Sequence, residues 1–182
     1  MISRINGMGK IIKDRPVKYT AGLLYKSGIE EMLELLAPVL GDIDGKSRET
    51  EFLFTDYYGK EMGKNLKRVF VSFKKLQAPG LIADIKIKTN QVESETSKSG
   101  KRVFNIDPGY LDLAKLVVAS TKDATYRVYI KNGIFAQGML YFANNSYRPW
   151  EWTYRDYKED FSIEFFNETR EIYRKQIELW QR

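Results

Sequence analysis

A chain of 182 residues that is 43% hydrophobic and 30% charged has the composition of an ordinary globular protein, and it is long enough to form one domain with its own core. It contains no cysteine and no histidine, which excludes disulfides, thiolate chemistry, histidine general bases and metal sites built on sulfur or imidazole. The composition leaves the cofactor unknown, and Mg²⁺ or a similar cation bound through oxygen atoms is compatible with it.

The net charge of +6 is concentrated at the N-terminus. Residues 1–18 contain five basic side chains and one acidic side chain, so the remaining 164 residues are close to neutral. We therefore predict a mobile basic arm over residues 1–15 and a single α+β domain over residues 16–182. No run approaches the ~18 apolar residues of a membrane span, and the N-terminus lacks the apolar core of a secretory signal. A cytoplasmic location without a membrane partner is expected.

The first two elements have clear boundaries in the sequence. A β-branched and aromatic run predicts a strand over residues 17–25. Ser27 stands three residues before Glu30, which is the spacing of a capping box, and apolar side chains then recur at helical intervals until Gly41. We therefore predict a helix that is capped by Ser27 and ended by Gly41.

The middle of the chain mixes strand and helix signals. Two further strands are predicted at 47–54 and 67–73, and the sequence GDIDG before them is predicted to be a turn. Residues 78–100 include an alternating IKIK, but Pro79 near the start and the wider apolar spacing favour a helix.

Residues 101–123 contain the densest group of unusual residues. A short strand is predicted at 101–106. Asp107 and Pro108 then have the chemistry of a helix entry, because aspartate can cap the first turn and proline has a preset φ. A short buried helix is therefore predicted over residues 110–121, and its N-terminus would favour an anion.

The C-terminal third is predicted to contain a hairpin and a long helix. Two alternating, aromatic-rich runs over residues 125–143 flank Asn132-Gly133, which is a two-residue hairpin signal. Residues 148–157 are aromatic and loop-like, and a helix with one apolar face follows from Phe161 to Trp180. Strands and helices without βαβ alternation indicate an α+β domain, with an antiparallel or mixed sheet and helices packed mainly on one face.

Two segments resemble three known nucleotide or calcium motifs, and neither segment matches them. In GDIDGKS, residues 41–47, three residues separate the glycines. A P-loop needs four at that place, between a strand and a helix. A calcium loop needs a glutamate at its twelfth position, where this segment has Leu53. TKDA, residues 121–124, is one residue shorter than the guanine-reading motif.

Polar side chains at the ends of predicted elements are the first site candidates. Asp56, Tyr57 and Tyr58 follow a predicted strand, where ligands often bind. The alternative is a turn whose tyrosines cover the edge of the core. The aromatic and basic side chains of residues 148–157 are of the kind that stack on bases and contact phosphates, although such a loop more often anchors a helix.

Several stretches together carry a family resemblance. They are RPVKYTAGLLY, FTDYYGKEMGKNLKRVFVSF, DIKIKTNQVE, NIDPGYLDLAKLVVASTKDATYRVY, WTYRDY and FFNETREIY, and they extend from about Arg15 to about Tyr173. In this ordered set the chain resembles the prokaryotic family called domain of unknown function 4416. The resemblance implies no established reaction, and some relatives carry the label of GTP-binding protein. Where the family pattern has His-Arg, this chain has Tyr126-Arg127, so any catalytic role of that histidine is lost here.

Within the family pattern, the polar positions that are hardest to explain by packing are the candidate ligand-binding residues. Lys122, Arg127 and the predicted helix N-terminus would hold an anionic group, and Asp56 and Asp107 would hold a hydroxyl or a hard divalent cation. The structural alternatives are exposed helix faces, solvated turns and cross-strand ion pairs. The candidates are Asp56, Tyr57, Tyr58, Lys86, Asn90, Asn105, Asp107, Tyr110, Lys122, Asp123 and Arg127.

Three functions remain open at this stage. The first is binding of a small anionic molecule, such as a nucleotide, in a pocket at strand and helix ends, with or without catalysis. The second is binding of RNA or single-stranded DNA through the basic arm and the aromatic loop. The third is a structural role as a homo-oligomer joined through the aromatic face of residues 148–180. We rank them in that order.

Overall fold

The fold is organised around one antiparallel sheet, which a computed structural model describes over residues 15–55 and 58–180. The predicted basic arm, apart from Arg15, and the site candidates Asp56 and Tyr57 lie outside the described residues.

Nine strands form the sheet within the described residues. Neighbouring strands follow the order β2-β4-β1-β5-β6-β8-β7, with β3 beside β4 and β9 beside β8, and the pairings are antiparallel. The strands are β1 (Val17–Tyr25), β2 (Ile43–Lys46), β3 (Thr50–Glu51), β4 (Lys67–Gln77), β5 (Phe104–Leu111), β6 (Lys115–Ser120), β7 (Val128–Lys131), β8 (Ile134–Ala143) and β9 (Ser146–Pro149).

The helices divide between the two faces of this sheet. They are α1 (Ile29–Leu40), α2 (Gly59–Met62), α3 (Ile82–Glu95), α4 (Arg155–Lys158) and α5 (Asp160–Trp180), and a 3-10 turn at Pro79–Leu81 precedes α3. Apolar side chains of α1 and α3 pack in one hydrophobic cluster, and those of α4 and α5 pack in another. The predicted α+β class with an antiparallel sheet is confirmed, with helices covering both faces.

The central strand β1 explains why both faces are covered. All nine of its residues are buried, and it pairs with β4 on one side and β5 on the other. Tyr19, Ala21 and Leu23 alternate into the cluster with α1 and α3. A strand that is buried on both faces requires apolar cover above and below the sheet.

Several predicted elements agree with the structure. The strand at 17–25, α1 with its end at Gly41, the helix favoured for 78–100, and α5 are present. The hairpin turns at Asn132-Gly133, where φ is 52° and 75°. Both residues therefore have the positive φ that a tight two-residue turn requires.

Local predictions near the first helix and strand need correction. Gly28, with φ 77°, occupies the N-cap of α1, and no described side chain caps it, so the capping box does not form. The segment predicted as a turn contains β2, and the strand predicted at 47–54 is reduced to Thr50–Glu51. The loop-like segment 148–157 contains the end of β9 and the start of α4.

The helix predicted over residues 110–121 is wrong. These residues form the end of β5, a short turn and β6, and the strand predicted at 101–106 is the beginning of β5. The apolar run LVVA is buried between β5 and β8, where pairing to both neighbours outweighs its helical spacing. The helix N-terminus that was expected to favour an anion is therefore absent from this segment.

Pro108 and Gly109 lie within strand β5 and do not begin the predicted helix. Pro108 pairs with Ala21 of β1 but precedes the three residues of β5 that pair with β6. A proline, which lacks an N–H, is tolerated where a strand has no partner on one side. A Cβ atom on Gly109 would lie 2.4 Å from the carbonyl oxygen of Val117, so the close approach of β6 requires glycine there.

No helix within residues 15–55 and 58–180 combines the length and the apolar character needed to cross a membrane.

We expect Gly109→Ala to destabilise the fold. The added methyl group must displace the backbone of β6, and overpacking of this kind costs roughly 1 to 3 kcal/mol. Urea unfolding measures the change. Gly80→Ala is the control, because nothing lies within 4 Å of a Cβ atom there, and it should change the unfolding free energy by less than about 1 kcal/mol. Equal stability of the two variants would contradict the close approach of β6.

Candidate functional site

A cavity of about 990 Å³ lies where β5 and β6 separate. The two strands pair only over residues 109–111 of β5, so the sheet is open beyond that point. Asn105 and Asp107 of β5 face Ala119 and Ser120 of β6 across the opening. Side chains from α3 on one face and from residues 153–156 on the other therefore reach the same cavity.

Two buried charged side chains of α3 replace the strand that is missing beside β5. Lys86 Nζ donates a hydrogen bond to the carbonyl oxygen of Ile106 at 2.7 Å, and Glu93 Oε1 accepts one from the Ile106 N–H at 2.6 Å. Unpaired backbone groups inside a protein are costly, so these contacts stabilise the open edge. Lys86 is therefore a buried structural residue as well as part of the cavity wall, and the predicted exposed helix face does not apply to it.

The floor of the cavity contains a buried arginine. Arg68 of β4 is 2% exposed, and its Nε lies 2.8 Å from Oδ2 of Asp156, while its Nη1 lies 3.7 Å from Oδ2 of Asp107. Nε and Nη1 of Arg68 and Oδ2 of Asp156 have no hydrogen-bond partner among the described residues, so the close contact is an ion pair with poor hydrogen-bond direction. Burial acts to lower the pKa of Arg68, but the two carboxylates outweigh it and hold the pKa above its usual value.

Aromatic rings and a glycine make room for this guanidinium. The Cζ atom of Arg68 lies 5.2 Å from the ring centre of Phe52 and 5.7 Å from that of Phe70, which are cation–π distances. A Cβ atom on Gly22 of β1 would lie 2.6 Å from Tyr157 Oη and 3.2 Å from Arg68 Nη1. Glycine at position 22 therefore leaves room mainly for Tyr157, and it also spares the arginine a crowded contact with the central strand.

A second arginine connects three elements beside the floor. Arg102 donates two hydrogen bonds to the carboxylate of Glu61, at 2.6 and 2.7 Å, and its Nη1 reaches Oε2 of Glu93 and Oδ1 of Asn105. The amide of Asn105 in turn donates to Oδ2 of Asp107 at 2.9 Å. Burial raises the pKa of Glu93, and the nearby cations oppose that effect.

The rim of the cavity is formed around Arg127. Its Nε donates to Gln137, its Nη1 to Ser120 Oγ and to the carbonyl oxygen of Lys122, and its Nη2 to Tyr154 Oη at 2.7 Å. All of these acceptors are neutral. Burial raises the pKa of Tyr154 to about 12, with the Arg127 charge opposing the shift, so its hydroxyl group stays protonated at neutral pH. The cross-strand ion pair proposed for Arg127 does not form among the described residues.

The charged side chains around the cavity are unequal in sign. Among the described residues, six basic and three acidic side chains line it, and the wall also carries the aromatic rings of Phe52, Phe54, Tyr58 and Tyr154. Arg155 at the mouth is exposed and has no hydrogen bond or ion pair to any described residue. The basic residues are Arg68, Lys86, Arg102, Lys122, Arg127 and Arg155, and the acidic residues are Glu93, Asp107 and Asp156.

Most of the described site candidates converge on this one cavity. Tyr58, Lys86, Asn90, Asn105, Asp107, Lys122 and Arg127 line it. Asp123 is exposed and does not line it.

Tyr110 lies at a different place from the other candidates. It borders a cleft of about 280 Å³ with Arg15, Asp112 and Tyr173. Because residues 104–111 are a strand, successive side chains alternate between faces, and Tyr110 is about 10 Å along the strand from Asp107. The predicted helix would have kept the two close together.

Sequence patterns did not indicate Arg68, Glu93, Arg102 or Asp156, and they indicated Tyr154 only as part of the aromatic segment. One signal was available for Arg68, because it occupies the same side of an alternating strand as Phe70 and Ser72 and so had to be buried with them. The remaining residues depend on contacts between distant segments, which spacing does not reveal.

The aromatic segment predicted as a nucleic-acid loop lies beside the mouth of the cavity. The rings of Trp150 and Trp152 are stacked with centres 5.3 Å apart, and Trp152 stacks on Tyr126 at 5.7 Å. Their facing surfaces already cover one another, so a base would have to contact outer faces or edges. The apolar face of α5, which was expected to form an oligomer interface, packs largely against the sheet.

Within the part of the chain that the structure describes, no group of three or more acidic side chains is placed to hold a metal ion.

We expect Arg68→Met to lower the free energy of unfolding by about 3 to 5 kcal/mol at neutral pH, because the buried carboxylate of Asp156 loses its cation and the partly buried carboxylate of Asp107 loses one of two. Urea unfolding measures this loss. Arg148→Met is the matched control, since Arg148 is exposed on β9 and has no ion pair to a described residue. A loss no larger than that of the control would contradict the ion-pair role of Arg68.

The destabilisation caused by Arg68→Met should also depend on pH. Burial raises the pKa of Asp156, and Arg68 is the charge that opposes the shift, so the variant raises this pKa further in the folded state. The folded variant then binds more protons than the unfolded chain between the ordinary and the raised pKa, and its stability falls as pH rises through that window. The stability difference from wild type should therefore be larger at about pH 8 than at about pH 5. A difference that is independent of pH would contradict this account.

Comparison with known proteins places the chain in a family but attaches no reaction to it. No curated protein and no solved structure matches the chain. The sequence model of the family described as domain of unknown function (DUF4416) matches residues 15–173, which is most of the chain and includes both strands and helices of the cavity wall. This chain belongs to the DUF4416 family.

Proposed function

We propose that this protein binds a small anionic molecule, of about the size of a mononucleotide, in the cavity between β5 and β6. The cavity volume of about 990 Å³ lies at the upper end of the range typical of small-molecule sites. The proposal places the protein in the cytoplasm, where phosphorylated metabolites and nucleotides occur.

The observation that carries the proposal is the uncompensated positive charge at the rim. Each acidic residue of the lining is paired with a cation of the floor: Asp156 with Arg68, Glu93 with Arg102, and Asp107 with both Arg68 and Lys86. Arg127 and Arg155 remain without a carboxylate partner among the described residues. When only described partners are counted, Arg127 keeps one of its five N–H groups beyond its four hydrogen bonds, and Arg155 keeps all five, so the two arginines at the mouth of one cavity favour an anion such as a phosphate or carboxylate group.

The aromatic wall supports a ligand with a ring rather than a bare inorganic ion. Phe52, Phe54, Tyr58 and Tyr154 line the same cavity as the basic rim. Tyr58 lies 5.9 Å from the ring of Phe52 in an edge-on arrangement, so the wall is a packed surface. Flat or puckered rings bury apolar area against such a wall while the charged group stays at the rim.

We expect Arg155→Gln to weaken binding of AMP and of ribose 5-phosphate by about tenfold, because a hydrogen bond between charged groups is lost. The unfolding free energy should stay unchanged, since Arg155 makes no ion pair with a described residue. Isothermal titration calorimetry measures the binding.

Arg148→Gln is the control for this experiment, as an equally exposed arginine outside the cavity, and it should bind like wild type. Equal weakening by both substitutions would indicate a general charge effect. Failure of wild type to bind any phosphorylated or carboxylated probe in a thermal-shift screen would overturn the proposed function.

A further inference from the structure

We infer that the ligand is a phosphate ester of a polyhydroxy compound, held with its hydroxyl groups at the floor of the cavity and its phosphate at the rim. This inference rests on the proposed function and adds the chemical class and the orientation of the ligand. The class includes sugar phosphates and nucleotides, which share a hydroxylated ring and a phosphate ester.

The floor offers a hydrogen-bond acceptor that the described residues do not use. Asp107 accepts a hydrogen bond from Asn105 through Oδ2, while its Oδ1 lies 3.9 Å from Lys86 Nζ, beyond hydrogen-bonding distance, and its side chain is 16% exposed. Oδ2 of Asp156, in contrast, is enclosed by the protein and lies against Arg68, so it is not open to a ligand. An ionised carboxylate only accepts hydrogen bonds, so the ligand group that meets Oδ1 of Asp107 must be a donor.

The charges of the floor favour a neutral donor over an amine. Asp107 already lies 3.7 Å from Nη1 of Arg68 and 3.9 Å from Nζ of Lys86, so two cations share its charge. A ligand ammonium group at Asp107 would add a third cation in a partly buried place, where repulsion between charges is weakly screened. A hydroxyl group donates to a carboxylate without adding charge.

The rim has the opposite character. Arg127 is held in place by four hydrogen bonds to neutral acceptors, and Arg155 stands nearby without a described partner. A phosphate group has several oxygens that accept from two arginines at once. The described lining therefore combines buried ion pairs around Asp107 at the floor, aromatic rings on the wall and arginine donors at the rim.

The side chains of the floor are poorly placed to bind the phosphate, which supports its position at the rim. Arg68 is 2% exposed and Lys86 is committed to the backbone of Ile106, so neither is free to enclose a phosphate dianion. Binding a dianion at the floor would also bring it next to the carboxylates of Asp107 and Asp156. The phosphate is therefore more stable at the rim. The acidic side chains of the described lining, Glu93, Asp107 and Asp156, all belong to the floor.

A comparison of matched ligands tests this inference without any substitution. Ribose 5-phosphate and n-pentyl phosphate have the same number of carbon atoms and the same charged group, and they differ in the hydroxylated ring. We expect ribose 5-phosphate to bind wild type at least about tenfold more tightly, from hydrogen bonds to charged acceptors. AMP tests the nucleotide: tighter binding of AMP than of ribose 5-phosphate identifies a nucleotide, and equal binding identifies a sugar phosphate.

Two variants then separate the floor from the rim. Asp107→Asn should remove most of the preference for ribose 5-phosphate over n-pentyl phosphate. Arg155→Gln should weaken both ligands by a similar factor and keep the preference. If Asp107→Asn does not fold, the comparison of the two ligands on wild type still tests the inference.

The outcomes distinguish this inference from the proposed function. If n-pentyl phosphate binds as tightly as ribose 5-phosphate, anion binding stands and the hydroxyl-specific floor is wrong. If adenosine binds as tightly as AMP, the phosphate position at the rim is wrong. If carboxylated probes bind and no phosphorylated probe does, this inference is wrong and the proposed function stands; if neither class binds, both are wrong.

Discussion

The separation of β5 from β6 is the constraint on which the rest of the site depends. Once β6 leaves, the N–H and C=O groups of Ile106 have no strand partner, and they are buried too deeply for water to replace one. Glu93 accepts a hydrogen bond from this N–H, and Lys86 donates one to this C=O. Each of these side chains carries charge into the interior, and that charge requires further partners, which are Arg102 for Glu93 and Asp107 for Lys86. The polar cavity is thus a consequence of opening a sheet inside a protein.

The buried Arg68 on β4 also requires charged partners, and one of them comes from the other face of the sheet. Asp107 alone could not balance Lys86 and Arg68, and Asp156 supplies the additional carboxylate from the segment that begins α4. The last helices are therefore attached to the sheet by electrostatic contacts as well as by the aromatic cluster around Phe70. Removal of one charge affects the packing of two layers, because a buried ion without its partner is destabilising.

Local sequence patterns predicted those elements whose signals are local. The Asn-Gly hairpin, α1 and α5 depend on residues within a few positions of one another. The segment after Asp107 was misread because its apolar residues have helical spacing, while its strand conformation comes from pairing with Ala21 and with β8, far away along the chain. Polar residues at element ends did indicate the cavity, since such residues line openings in a sheet. The ion pairs beside them could not be predicted, because Glu61 and Glu93 meet Arg102, and Asp156 meets Arg68, only after folding.

Arg127 joins parts of the chain that are well separated in sequence. Its hydrogen bonds connect Ser120 at the end of β6, Gln137 in the next strand and Tyr154 before α4, so the rim is held as one unit. The guanidinium of Arg127 is therefore oriented before any molecule arrives. A preorganised site loses little side-chain entropy on binding, which leaves more of the interaction energy for affinity. Because Arg127 is held in place, the protein should select ligands by how well they fit a fixed pattern of donors and acceptors. Rearrangement of the protein around each ligand should contribute little.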